Sequence, residues 1–89
     1  LDEEGRFNLL KRMIKDSLAK VLGILDHSFL KTNQGFFDMG LDSMMAVELQ
    51  RDLQQQFGLG VELRASVAFD YPTIDSLTAY IYGQLFSIQ

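Results

Sequence analysis

The chain has 89 residues, of which 47% are hydrophobic, and it carries a formal net charge of −4 at pH 7 with no cysteine. This length allows one small domain with a single core, which disulfide bonds cannot stabilise because there is no cysteine. One histidine without cysteine predicts no metal site. No apolar run approaches the roughly 18 residues of a membrane span. The acidic start LDEEGR lacks the pattern of a secretory leader, so we expect a cytoplasmic domain without membrane contact.

The charges are unevenly distributed along the chain. Six of the eight basic residues lie within positions 1–31, whereas positions 32–89 hold seven acidic residues and only Arg51 and Arg64 as basic ones. An acidic surface repels nucleic acid and anionic lipid through the Coulomb interaction. We therefore expect no nucleic-acid binding and a basic partner surface, although acidic residues that only maintain solubility would give the same pattern.

The first helix is predicted from about Glu4 to Leu22. Apolar residues recur there every three or four positions with charged residues between them, which is the pattern of an amphipathic helix. The apolar positions are Leu10, Ile14, Leu18, Val21 and Leu22. Gly23 is expected to end the helix, because glycine adopts the left-handed conformation at little cost.

A long segment without helical periodicity follows, from residue 24 to residue 41. Its apolar residues should be covered by packing against the rest of the domain, and they are Ile24, Leu25, Phe29, Leu30, Phe36, Phe37, Met39 and Leu41. A loop of this length in a compact domain is typical of a segment with a function. We expect it to pack along the bundle, with a short helical turn inside it, and to hold Ser43 in a fixed position.

The second helix is predicted to start at Asp42 and Ser43 and to end near Phe57. Spacings of three and four place Ala46, Leu49, Leu53 and Phe57 on its inward face, and Glu48, Arg51, Asp52 and Gln55 on its other faces.

Two further helices are predicted, a short one around Ala65 to Phe69 and a last one that begins after Thr73. Pro72 disfavours a helical residue before it, and Thr73 is a good helix cap. The apolar stripe of the last helix is Ile74, Leu77, Tyr80 or Ile81, and Leu85. The predicted fold is all-α: a small four-helix bundle of three longer helices and one short helix, with a long structured loop between the first two helices.

Ser43 has three candidate roles at the start of the second helix. Serine and aspartate are preferred N-cap residues, because their oxygens accept from unpaired backbone N–H groups. Since Asp42 alone can cap, the Ser43 hydroxyl is free to face solvent, where a phosphate ester would meet the positive end of the helix dipole. A nucleophilic role is disfavoured, because it needs a positioned base and the sole histidine, His27, lies in the long loop.

Three stretches carry a family resemblance: GFFDMGLDSMMAVEL, FGLGVEL and FDYPTIDSLTAYI. Together they resemble the phosphopantetheine-attachment domain of acyl carrier proteins, most of all those of modular type I polyketide synthases. The resemblance spans nearly the whole chain, from VLGI at the end of the first helix to YPTIDSLTAYI.

The resemblance implies a non-catalytic carrier in which Ser43, flanked by Asp42, is esterified by a 4'-phosphopantetheine arm. A phosphopantetheinyl transferase would supply the arm from coenzyme A, and acyl or polyketide intermediates would ride on its thiol as thioesters. The arm would then be the only thiol of the domain. A thiol with a pKa near 8.5 is a usable nucleophile without help from a protein base.

The resemblance also implies that the second helix meets the transferase and the ketosynthase, acyltransferase and processing domains. Met44, Val47, Glu48 and Arg51 form a strip beside Ser43 by their spacing, and two of them are apolar. We expect this strip to contact partners, with Asp38 and Asp42 flanking the site. Packing at the edge of the core would equally explain Met44.

Two alternatives stay open. One is a peptidyl carrier domain of a nonribosomal peptide synthetase, in which glycine or histidine commonly precedes the serine, so that Asp42 favours acyl cargo. The other is an unmodified helical interaction module with Ser43 as a cap. We expect a single domain over residues 1–89, monomeric in isolation, with residues 1–5 as an interdomain linker remnant and a core over residues 6–87.

Overall fold

The computed structural model describes residues 2–25 and 30–86. Within these ranges the α-helices are α1 (Glu3–Leu22), α2 (Ser43–Phe57), α3 (Val67–Asp70) and α4 (Ile74–Phe86), with 3-10 turns at Phe37–Met39 and Gly58–Gly60. Within the described ranges the only β pairing is an isolated bridge between Gly35 and Thr73. The prediction of an all-α bundle with three longer helices and one short helix is confirmed, as is the helical turn in the long loop.

The ends of α1 follow from its flanking residues. Asp2 is the N-cap, and its side chain accepts a hydrogen bond of 2.7 Å from the Gly5 N–H. Gly23 ends the helix in the left-handed conformation with a φ of 77°. Residues 3–5 thus belong to α1, and the linker remnant proposed for residues 1–5 stays a prediction.

The core lies between α1, α2 and α4, with α3 packed against α2. The buried apolar residues of these helices are Leu10, Ile14, Leu18 and Ala19 of α1, Ala46, Leu49 and Leu53 of α2, Val67 and Ala68 of α3, and Ile74, Leu77 and Ile81 of α4. Apart from Ala19, those of α1, α2 and α4 lie on the predicted apolar stripes, whereas no stripe was predicted for α3. The other stripe residues are only partly buried against the core, and they are Val21, Leu22, Phe57 and Leu85. Thr78 is also fully buried on α4, and its hydroxyl donates to the Ile74 carbonyl at 2.6 Å.

The long loop is tied to the beginning of α4 at two points. The Thr32 carbonyl accepts from the Asp75 N–H at 2.9 Å, and the Thr32 hydroxyl donates to the Asp75 carboxylate at 3.0 Å. Further along, the Phe36 N–H donates to the Pro72 carbonyl at 2.7 Å. These bonds fix the second half of the loop against the bundle.

The expectation that the apolar loop residues are covered holds for only some of them. Phe36 and Leu41 are buried, and Leu30 and Met39 are partly buried against the core. By contrast, the expectation is wrong for Ile24, Leu25 and Phe37, all of which are exposed. Ile24 and Leu25 precede the anchored part of the loop, and Phe37 instead stacks on Phe69 at the surface, with ring centroids 4.7 Å apart. Phe29 lies outside the described residues.

Candidate attachment site at the start of α2

The chain is led into α2 by a glycine that takes a conformation other residues avoid. Gly40 ends the 3-10 turn with a φ of 107°, and its N–H donates to the Phe37 carbonyl at 3.3 Å. An L side chain is strained at this φ. Leu41 follows, buried in the core, with its N–H bonded to the Phe36 carbonyl. The turn and the buried Leu41 together fix where Asp42 begins the helix.

Asp42 is the N-cap of α2. Its backbone is extended, and its carboxylate accepts from the Met45 N–H at 2.9 Å while its carbonyl accepts from the Ala46 N–H at 2.9 Å. The prediction that Asp42 alone can cap the helix is confirmed. Ser43 is therefore not needed for capping.

Ser43 differs from the other serines in the described ranges. Ser17 is buried and bonded to Asp52, Ser66 donates to Asp70, and Ser76 is bonded to Thr73. Ser43 is exposed, and its hydroxyl makes no hydrogen bond to any described residue. Its oxygen is thus accessible to an enzyme without the loss of an internal contact.

The start of α2 also favours an anion on Ser43. The Asp42 carboxylate accepts from the Met45 N–H. The N–H groups of Ser43 and Met44 have no acceptor among the described residues. They point out of the N-terminus of a 15-residue helix, where the helix dipole is positive. A phosphate group linked to Ser43 would be stabilised there.

An open groove of about 440 Å³ runs from Ser43 along the outer face of α2, and its lining residues are Ser43, Met44, Val47, Glu48 and Arg51. Met44 is 76% exposed. Glu48 and Arg51 are exposed and make no ion pair within the described part of the chain. The structure thus brings the predicted strip together with Ser43. Asp38 does not line the groove and lies exposed in the 3-10 turn.

The face of α2 toward α1 carries a polar cluster that the sequence did not reveal. We define the Asp52 cluster as Ser17, Lys20, Asp52 and Gln56. The Asp52 carboxylate accepts from the Ser17 hydroxyl at 2.6 Å, from the Lys20 ammonium at 2.9 Å and from the Gln56 amide at 2.9 Å. Burial alone would raise the pKa of Asp52, but these donors and the Lys20 charge outweigh it and lower the pKa below its usual value.

The signal for this cluster was present in the spacing. Ser17 and Lys20 are three residues apart on α1, and Asp52 and Gln56 are four apart on α2, so each pair lies on one helix face. Only the packing of α1 against α2 brings the two pairs together.

Other chemistry finds no support in the described residues. No group of three histidine, cysteine, aspartate or glutamate residues there could hold a metal ion. His27 lies outside these residues. Within residues 2–25 and 30–86, no helix combines the length and apolar character needed to cross a membrane.

Residues 12–81 match the phosphopantetheine attachment site family. Because the match covers most of the chain and includes the start of α2, the chain belongs to this family. It is therefore a carrier domain that holds 4'-phosphopantetheine covalently.

Relatives and solved structures agree with the family match. The chain is 44% identical over 78 residues, 88% of its length, to a phenolphthiocerol/phthiocerol polyketide synthase of Mycobacterium tuberculosis, of which it spans only 5%. The HMG-ACPI domain from the CurA module of Lyngbya majuscula has a TM-score of 0.79 and 33% identity, over 89% of this chain and 77% of that one. A free-standing peptidyl carrier protein from Acinetobacter baumannii has a TM-score of 0.80 and 28% identity, over 90% and 96% of the two chains.

The predicted class, an acyl carrier domain of the kind found in modular polyketide synthases, is confirmed. Such domains are generally non-catalytic and work with other domains of a synthase. The chain spans a small fraction of the length of the curated relatives it matches.

Proposed function

We propose that Ser43 is the attachment point of the 4'-phosphopantetheine arm, in an acyl carrier domain that serves a modular polyketide synthase. The observation that carries this proposal is the exposed, unbonded hydroxyl of Ser43 at the N-terminus of α2, inside the matched family region. Asp42 fixes the helix start and leaves the Ser43 hydroxyl free. The unpaired N–H groups of the first turn favour the phosphate of the arm.

The domain itself performs no catalysis in this proposal. A phosphopantetheinyl transferase forms the ester to the Ser43 oxygen, and the thiol at the end of the arm then carries the acyl or polyketide chain as a thioester. The chain contributes a rigid helix start and an accessible oxygen. No base is needed near Ser43, because the transferase supplies the chemistry of loading.

The outer face of α2 is the proposed contact surface for the transferase and for ketosynthase, acyltransferase and processing domains. Met44 and Val47 would give the apolar contact, and Glu48 and Arg51 the polar ones, since all four line the groove that starts at Ser43. Asp42 and Asp38 would flank the site. We further propose a cytoplasmic domain that is monomeric in isolation and binds neither nucleic acid nor membrane.

Acyl cargo is preferred over peptidyl cargo for two reasons. Asp42 rather than glycine or histidine precedes Ser43, and the synthases to which the chain is similar are polyketide synthases. The likeness to a peptidyl carrier protein reflects the shared bundle and does not by itself favour peptidyl cargo.

The test is the intact mass of the domain before and after incubation with coenzyme A and a broad-specificity phosphopantetheinyl transferase. Wild type should gain one phosphopantetheinyl group, and Ser43→Ala should gain none while keeping its helicity. Ser66→Ala is the matched control, because Ser66 is also exposed but precedes a helix of only four residues, and this variant should load normally.

A folded wild-type domain that gains no mass would contradict the proposal. Ser43 would then be an unmodified helix residue, and the groove of α2 would belong to a helical interaction module.

A further inference from the structure

The residue that follows Ser43 is a methionine whose side chain is out of the core. Met44 is 76% exposed, whereas the other three methionines, Met13, Met39 and Met45, are partly buried and packed against the core. Oxidation of a thioether requires that the oxidant reach the sulfur, so exposure sets the order of attack. Met44 should react first.

The chain has no competing thiol. It contains no cysteine, so before the arm is attached the methionine sulfurs are its most readily oxidised groups. An oxidant that meets the unloaded domain therefore meets the Met44 sulfur before any other reactive group of the described surface.

Met44 also lies in the groove beside Ser43, where a more polar side chain would change the docking surface. It is the second residue of α2, adjacent to Ser43, and it lines the same groove together with Val47. An enzyme that occupies this groove to reach the Ser43 oxygen would contact the Met44 side chain. Its sulfur is outside the core, so its oxidation should leave the fold intact.

The chemistry of the change is simple. Hydrogen peroxide transfers one oxygen atom to the methionine sulfur while its O–O bond breaks, so the thioether is oxidised by two electrons and the peroxide is reduced to water. The product, methionine sulfoxide, is polar and chiral where the thioether was apolar and flexible. The apolar part of the groove would then be interrupted next to Ser43.

We propose that Met44 is an oxidative modification site, and that conversion of its thioether to the sulfoxide by peroxide slows transfer of the arm to Ser43. The proposal rests on the proposed function of Ser43. It makes loading of the carrier sensitive to oxidants and reversible by methionine sulfoxide reduction.

The experiment treats the unloaded domain with hydrogen peroxide, removes the peroxide with catalase, and then measures loading with coenzyme A and the transferase. Peptide mass mapping should place the first added oxygen on Met44. The initial loading rate should fall by about fivefold, which corresponds to about 1 kcal/mol of lost docking contact. Treatment with methionine sulfoxide reductases should restore the rate.

Two variants make the result specific. Met44→Leu keeps an apolar side chain of similar size that peroxide cannot oxidise, so its loading rate should be unchanged by the treatment. Met45→Leu is the matched control one residue further along, and it should lose as much loading as wild type.

Equal loss in Met44→Leu and wild type would overturn the proposal, as would an unchanged rate in a domain mapped as oxidised at Met44. Oxidation of Met13, Met39 or Met45 before Met44 would also overturn it. If the untreated domain takes up no arm, the proposed function of Ser43 is contradicted and this proposal falls with it. Loading that proceeds normally and ignores oxidation contradicts only the present proposal.

Discussion

Two groups of polar residues on α2 differ in whether they are hydrogen-bonded within the domain. Toward α1, the Asp52 carboxylate is held by three donors, and the buried Ser17 hydroxyl both donates to Asp52 and accepts from Gln56 at 2.6 Å. Glu48 and Arg51, which line the groove that begins at Ser43, make no ion pair with any described residue.

Residue type does not explain this difference. Asp52 and Glu48 are both acidic residues of the same helix, four positions apart, and both line a second groove beside Lys20, yet only Asp52 accepts hydrogen bonds from α1. The α1-facing groups contribute to stability because burial makes an unmade hydrogen bond costly. Glu48 and Arg51 remain available to a partner because they are exposed and bond to no described residue.

The largest contrast between the two sides of α2 should come from its apolar residues. Leu49 is fully buried, so Leu49→Ala should lower the free energy of unfolding by about 2–5 kcal/mol through lost burial and a cavity. Val47 lines the outer groove and is only partly buried, so Val47→Ala should cost less than about 1 kcal/mol. Urea unfolding followed by far-ultraviolet circular dichroism measures both values.

Loading rates sharpen this comparison. Folded Leu49→Ala should load at the wild-type rate, whereas Val47→Ala should load more slowly because it loses an apolar contact. Similar stability losses in the two variants would mean that the groove face is part of the core.

Substitutions of polar residues should show a smaller difference in stability, with the larger loss again at the residue that contacts α1. Asp52→Asn removes a carboxylate that accepts three hydrogen bonds, one of them from the Lys20 ammonium, and should cost about 1–2 kcal/mol at neutral pH. Glu48→Gln is the matched control on the outer face, and it should change stability by less than about 0.5 kcal/mol.

The contribution of the Asp52 carboxylate to stability should depend on pH. The folded pKa of Asp52 is lowered below the unfolded value, so its contribution is fully present above the unfolded pKa of about 3.9 and is lost as pH falls through the folded pKa. The stability difference between wild type and Asp52→Asn should therefore shrink on acidification. A difference that stays constant from neutral pH to pH well below the unfolded pKa would contradict the proposed role of the carboxylate.

Local patterns in the sequence predicted the helices well because each pattern depends on a few neighbouring residues. The stripe of Ala46, Leu49 and Leu53 has helical spacing, and Asp42 is a strong cap. The same local logic gave the position of Ser43 at the start of α2. The role of Ser43 came from the family resemblance, because a serine at a helix start is by itself most often a cap.

Contacts between distant segments could not be predicted in this way. The bond from Phe36 to Pro72 and the bonds of Thr32 to Asp75 join residues far apart in sequence, and they hold the part of the loop that contains the buried Phe36 and Leu41. Leu25 has the same apolar character as Leu41, yet Leu25 is exposed because the anchors begin after it. Likewise, the spacing put Asp52 on a face of α2 other than the inward one, and only the packing of α1 brings Ser17 and Lys20 to its carboxylate.

The smallest expected effect concerns the charges of the outer face. With Asp52 engaged by Lys20, the groove of α2 presents one acid, Glu48, and one base, Arg51. Because these charges balance, the loading rate of wild type should depend only weakly on salt. The partner surface is expected to be basic, so Arg51→Glu should speed loading at low salt by up to about fivefold, and salt should remove the gain.

Arg64→Glu separates a local effect from one of net charge. Arg64 is exposed and lies outside the groove, so this variant changes the net charge equally while leaving the surface beside Ser43 intact. It should load at nearly the wild-type rate at every salt concentration, and neither variant should change the free energy of unfolding by more than about 0.5 kcal/mol. Equal acceleration by both variants would show that the transferase responds to total charge, and slower loading of Arg51→Glu at low salt would show that its surface is not basic. Acceleration confined to Arg51→Glu would place the docking contact at the groove of α2 that begins at Ser43.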